Sequence, residues 1–254
     1  MASPITPAQL SNALTQSGLP TPSPSFLTPI LNTASNSQRQ PPLSSLSATA
    51  RLRLLSADIS APTILSPTNG SFPQNISDVR VKEKVLGQDI PVQVIDIEDI
   101  GRSKWDQILD LEAERKGERV KGREVIRVLP TQENENGSTA STQAIVSPAA
   151  ANAVVSNKGP FKVLLQDMKG QQVYGFELKR VDKLGYPPGM NIGCKVMLKK
   201  GCKVARGMVL LEPACVVVLG GKIEALDKGW REGREERLRL AVKKNEEAPG
   251  RANV

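Results

Sequence analysis

Three groups of residues in this sequence have types and spacing that suit chemistry. "DIEDI" holds Asp96, Glu98 and Asp99, and on an extended chain the first two share one face. A metal ion or a glycosidase acid/base pair uses such carboxylates, but no partner ligand or proton carrier accompanies them. A solvated strand end accounts for them better. Gly220-Gly221 follows an apolar run and precedes a helical pattern, as phosphate loops do. It lacks a third glycine, a Lys-Ser/Thr and a parallel βαβ setting, so the pair suits a tight exit from strand to helix. The third group is basic: Lys195, Lys199, Lys200, Lys203 and Arg206 have no acid between them. Such a hairpin either tracks a phosphate backbone, as oligonucleotide-binding barrels do, or protects a sheet edge with lysines.

Other chemistry is absent by composition. The chain has no histidine, which removes His-based triads, His proton shuttles and most zinc ligation. Cys194, Cys202 and Cys215 fit no Cys-x-x-Cys metal or redox pattern, and an odd count without a signal peptide suggests a reducing compartment. No cofactor, no metal and no catalytic residue is expected. The net charge of +8 allows an acidic partner without proving one. "GMVLLEPACVVVLGGKIEAL" (207–226) is the most apolar stretch, yet Glu212 and Pro213 interrupt it well short of a membrane span of about 20 residues. It reads as a final barrel strand, broken or bent near Pro213.

The elements that would position these groups divide the chain. Residues 1–60 carry three helical patterns. The first is capped at Thr6-Pro7 and stopped by Gly18; the second is limited by Pro29 to about two turns; the third has Leu43, Leu46, Ala50 and Leu54 along one face, with Leu55 at its edge. A Pro/Ser-rich arm with one real helix is the competing description. Residues 61–85 read as a linker. From residue 86 the pattern changes to short strands at 91–100, 122–130, 161–168 and 171–180, then 194–200, 204–213 and 215–221, with a helix over 103–118 and a closing helix over 222–244. Residues 131–159 are low-complexity. Quick succession of short strands argues a small Greek-key barrel. Tyr174 and Phe176 alternate in phase with Leu178 and are expected to point into it, leaving the lysine hairpin without a stacking platform.

"YPPGMNIGCKVML" and "ARGMVLLEPACVVVLGGKIEAL" resemble the end of the oligonucleotide-binding (OB-fold) barrel in the RecQ-mediated genome instability protein 1 family. The resemblance rests on Pro187, Pro188 and Gly189 before a strand, then on Gly207, Leu210, Leu211, Pro213, Val216, Val218, Leu219, Gly220, Gly221 and Leu226. "ATARLRLLSADI" is similar to the last helix of that family's N-terminal three-helix domain, and "PVQVIDIEDIGRSKWDQILDLE" to its first barrel strand and the start of its insertion. The resemblance implies an α+β fold: a small N-terminal helical bundle (1–60), a linker (61–85), and a five-stranded OB-fold barrel (86–245). A long insertion (101–160) would separate barrel strands one and two, and a C-terminal helix would precede a disordered tail (246–254).

It further implies a nuclear, non-enzymatic subunit that binds a type IA topoisomerase and a Bloom-type RecQ helicase and supports double Holliday junction dissolution. The insertion would contact the topoisomerase, with Trp105, Ile108, Leu109 and Leu111 as its apolar contacts. The same helix would otherwise pack on its own barrel. Weak single-stranded or junction DNA contact through the lysine hairpin is the remaining expectation, and a single-strand-binding barrel acting without the topoisomerase is the alternative. No membrane association is expected.

Overall fold

The computed structural model describes residues 5–35, 41–116, 159–187 and 189–247. Three helices open the chain: α1 (Pro7–Gln16), α2 (Pro24–Ser35) and α3 (Leu43–Ser56). Thr6 caps α1 reciprocally with Gln9, each side chain bonding the other's backbone amide. Gly18, at φ +80°, ends it, with Leu19 N–H reaching back to Leu14 O. The expected two-turn limit on α2 does not hold, for it runs 12 residues through Pro29. The Pro29 ring and Ser25 both face solvent, so water can serve the freed carbonyl, while Leu27, Ile30 and Ala34 on the opposite side are buried. On α3 the buried face is Leu46, Ala50 and Leu54; Leu43 is exposed.

The segment expected as a linker is packed rather than free. Leu65 joins the helical core and Phe72 and Ile76 join the barrel core, and an isolated bridge ties Pro22 to Leu65.

Among the described residues eight strands form one sheet: β1 (Lys84–Val85), β2 (Ile90–Asp99), β3 (Phe161–Asp167), β4 (Gln172–Glu177), β5 (Lys195–Leu198), β6 (Lys203–Ala205), β7 (Met208–Leu211) and β8 (Val216–Gly220). Five were expected. The surplus arises because one long hairpin is interrupted on both arms. Leu198 pairs with Val216 and Val204 with Val209, so β5–β6 and β7–β8 are its arms, broken at 199–202 and 212–215. The run expected to be broken or bent near Pro213 is broken there into two strands with different neighbours, β7 lying parallel to β4 and β8 antiparallel to β5. Continuity of these arms, with β2 pairing both β3 and β5, curls the sheet into a barrel. Inward valines and leucines fill it, and the inward position of Gly175 on β4 is a close fit: a β-carbon there would stand 3.0 Å from Leu211 and 3.1 Å from Val163.

Between β2 and β3 lies α4 (Lys104–Arg115), capped by Ser103. The expected strand at 122–130 and the low-complexity run to 158 lie outside the described residues. The closing helix is two, α5 (Glu224–Glu232) and α6 (Arg234–Glu247), divided at Gly233. Glu246 and Glu247, expected in a disordered tail, belong to α6; residues 248–254 lie outside the described part.

Bundle and barrel meet through specific contacts. Met168 and Leu219 of the barrel pack on the helical core. Gln93, fully buried on β2, accepts from Ile59 N–H and donates to Asp58 and Gln166. Burial raises the Asp58 carboxyl, but hydrogen bonds from Ser60 and Gln93 outweigh it and hold the group below its ordinary value. Gly221 abuts the end of α3. Among the described residues no helix is long and apolar enough to cross a membrane.

Candidate functional site

A groove of about 610 Å³ opens between the end of β2, α4 and α5–α6. Its base is aromatic. Tyr186 stands edge-on to Phe161 with ring centroids 5.5 Å apart, and Trp230 lies 5.9 Å from Tyr186. Trp230 Nε1 donates to Asp96 Oδ1 at 2.5 Å, tying α5 to β2. The Tyr186 hydroxyl accepts from Asp99 N–H and donates to Gln107 Oε1, while Gln107 Nε2 donates to Asp99 O. That closed circuit fixes α4 on the barrel rim, Gln107 and Ile108 being its buried residues. Burial holds the Tyr186 phenol above its ordinary value, against the opposing pull of the Asp99 amide and the Arg234 guanidinium. Arg234 stacks 3.9 Å from the Tyr186 ring centroid and 5.4 Å from that of Trp230. Arg237 donates to Trp230 O. Beyond the groove, ion pairs Arg239–Glu112 and Arg115–Glu235 join α4 to α6.

The apolar residues expected to contact a partner divide by helical phase. Ile108 is fully buried, so it holds α4 in place and cannot meet a partner directly. Trp105 is 54% exposed and Leu109 49%; Leu111 is half-buried. The helix thus does both things the sequence allowed: it packs on its own protein and still presents apolar surface. Tyr186, Trp230, Arg234 and Arg237 were not among the expected site residues. Their signal was present, since Trp230, Arg234 and Arg237 recur at the four- and three-residue spacing of a single helix face.

The acidic group lines this groove, and only Glu98 is the exposed strand-end carboxylate that was expected. Asp99 is buried and accepts from Gly101 N–H, and Glu98 pairs with Lys162. Other buried carboxylates also serve backbone amides: Asp167 those of Phe72, Lys169 and Gln171, Glu177 those of Phe161 and Val181, Asp227 that of Ile192.

The lysine hairpin is dispersed by the fold. Lys195 is 2% exposed, its Nζ donates to Gly193 O, and burial pulls its pKa down to about 8. It faces the interior toward Asp58 and is withdrawn from any phosphate-tracking row. Lys199 pairs with Asp89 and Lys203 with Glu83. Lys200 is exposed, and Arg206, at φ +50° in the turn before β7, donates to Val79 O. In contrast, Tyr174 and Phe176 turn outward, opposite to expectation, because Val173, Gly175 and Glu177 take the inward phase. Leu164, Tyr174 and Met208 align across β3, β4 and β7, as do Lys162, Phe176 and Leu210, with the Lys162 ammonium 4.1 Å from the Tyr174 ring centroid.

The family motif residues are architectural where described. Pro187 is half-buried, Gly189 N–H bonds Tyr186 O in the same turn, and Pro213 is exposed in the turn between β7 and β8. Pro188 lies outside the described residues. Gly220 and Gly221 both adopt left-handed backbone, at φ +91° and +93°.

Comparison with known proteins agrees with this architecture. Residues 72–234 match the family model "RMI1, N-terminal OB-fold domain" and residues 14–62 match "RMI1, N-terminal helical domain". A Schizosaccharomyces pombe protein, "RecQ-mediated genome instability protein 1", is 26% identical over 186 residues, spanning 70% of this chain and 72% of that protein. With the OB-fold match alone taking in more than half of its length, and the helical match falling on the bundle, the chain belongs to the RMI1 family.

Proposed function

We propose that this chain is a non-catalytic scaffold subunit of a nuclear genome-maintenance complex. In that role it binds a type IA topoisomerase and a Bloom-type RecQ helicase, and it promotes decatenation and double Holliday junction dissolution. Family membership supports the scaffold role, and the name of the yeast relative ties that protein to RecQ-mediated genome stability. The observation that carries a protein-binding role is α4, anchored by Ile108 and Gln107 yet exposing Trp105 and Leu109. Exposed large apolar residues on an ordered helix favour a partner. Co-purification of the full chain with the topoisomerase tests this, together with decatenation assays on Trp105→Ala/Leu109→Ala. Capture and stimulation by wild type, both weakened in the double variant, are expected; a chain that neither captures nor stimulates the enzyme overturns the reading.

The outward rows on β3, β4 and β7 favour a second reading, a barrel that stacks single-stranded nucleic acid on Tyr174 and Phe176. Under it, single-strand affinity of the isolated chain falls with rising salt and with Tyr174→Ala. Affinity unchanged by that substitution removes it.

A further inference from the structure

We propose that the groove between β2, α4 and α5–α6 is a docking site for a linear peptide segment of a partner protein, one that sets a large apolar side chain beside one or two carboxylates. The proposal rests on the scaffold reading above and specifies the chemistry of what one partner presents. At about 610 Å³ the groove can take one or two large side chains. Ile100 and Trp105 form one apolar wall, exposed by 48% and 54%, and Leu238 and Val242 of α6 line the other side. Tyr186 and Trp230 supply an aromatic base of the kind that anchors hot-spot side chains.

Charge selects the rest of the ligand. On α5–α6, Lys228, Arg231, Arg239 and Lys243 each pair with a carboxylate. Arg234 and Arg237, which line the groove, pair with none among the described residues. Stacking on Tyr186 and Trp230 covers the guanidinium faces, while a hydrogen bond from Arg234 to Tyr186 and one from Arg237 to Trp230 O use only part of the five N–H donors each arginine carries. Of the carboxylates that line the groove, Asp96 is engaged by Trp230, Glu98 by Lys162 and Asp99 by the Gly101 amide, and Glu246 stands exposed at the end of α6. Of the other cations that line the groove, Arg102 pairs with Asp110 and Lys104 is half-buried; Arg234 and Arg237, between apolar walls, match one or two peptide carboxylates. They do not form the extended row of cations that successive phosphates of a nucleic acid require.

The chain carries its own reporter, because both of its tryptophans line this groove. The test selects a phage-displayed random dodecapeptide library on the full chain, then titrates synthetic copies of the enriched peptides against tryptophan fluorescence. Enriched peptides are expected to place Asp or Glu within a few positions of Leu, Ile, Phe or Trp, and to shift or quench the fluorescence saturably. Arg234→Glu is expected to weaken them at least about tenfold, the scale of one lost charge-assisted hydrogen bond. Should that variant fail to fold by circular dichroism, Trp105→Ala, at an exposed position, is read by peptide competition instead. Enrichment of basic or uncharged peptides, no enrichment at all, undiminished binding by whichever folded variant is read, or displacement by oligothymidine overturns the proposal. Topoisomerase capture by wild type is measured in parallel: capture without peptide selection sinks the groove alone, and no capture sinks the scaffold reading.

Discussion

Gly221 lies so close to the Leu55 carbonyl that a β-carbon there would stand 2.3 Å from its oxygen. This is where the strand that ends the barrel touches the helix that ends the bundle. Its neighbour Gly220 has the same left-handed backbone but open space around it. The two glycines therefore separate conformational strain from steric contact. Gly220→Ala should cost about 1–2 kcal/mol for the backbone alone, whereas Gly221→Ala adds an overpacking cost of about 1–3 kcal/mol. Urea denaturation of both variants checks this, and equal losses would contradict the contact.

Gln93 reaches Asp58, Ile59 and Gln166 from a fully buried position. Gln93→Ala leaves the Ile59 amide without its acceptor and should destabilise by about 1–3 kcal/mol. Amide hydrogen exchange at Ile59 should accelerate in the variant. Unchanged protection there would show that the side chain is not what seals this junction.

Lys195 gives a pH signature. Its folded-state pKa of about 8 lies below the ordinary 10.5, so between those values the unfolded chain holds the extra proton. Stability contributed by this group therefore rises with pH across that window and is lowest below it. Cys194, pushed up to about 11 by burial, acts in the opposite sense from pH 9 upward. The clean measurement is wild type against Lys195→Met, which share that cysteine. The advantage of wild type should grow from pH 8 to 10.5; a difference flat in pH falsifies the buried charge.

Neighbouring residues on α4 should behave oppositely. Ile108→Ala removes a fully buried side chain and should cost about 2–5 kcal/mol. Trp105→Ala, at a position 54% exposed, should stay within about 0.5 kcal/mol of wild type while weakening partner binding. Thermal melts and topoisomerase capture on the same two proteins separate anchor from contact.

Much of the architecture was legible because it rests on local signals. The cap at Thr6-Pro7 and the stop at Gly18 each act within one helical turn and stand where expected. What sequence could not give was long-range. Tyr174 and Phe176 were assigned inward from their phase with Leu178, but Leu178 lies beyond β4 and is itself 50% exposed. Alternation fixes which residues share a face; only packing decides which face is inside. The lysine row failed for a similar reason. Adjacency in sequence set Lys195 beside Lys199, yet β5 is covered along its whole length and Lys195 faces the bundle junction. The groove draws on β2, α4, Tyr186 and α5–α6, segments spread over about 150 positions, so no short motif announces it.

The interrupted hairpin also bears on synthesis. The helical core is complete once Leu65 has been made, but its seat on the barrel includes Met168 and Leu219. β8, which carries Leu219, is the last strand to leave the ribosome. A nascent chain therefore carries a finished bundle with an uncovered apolar side while some 150 further residues are translated, and it can shield that side only when the barrel closes. Truncations that end before Val216 should accordingly bind chaperones through the bundle rather than through the strands.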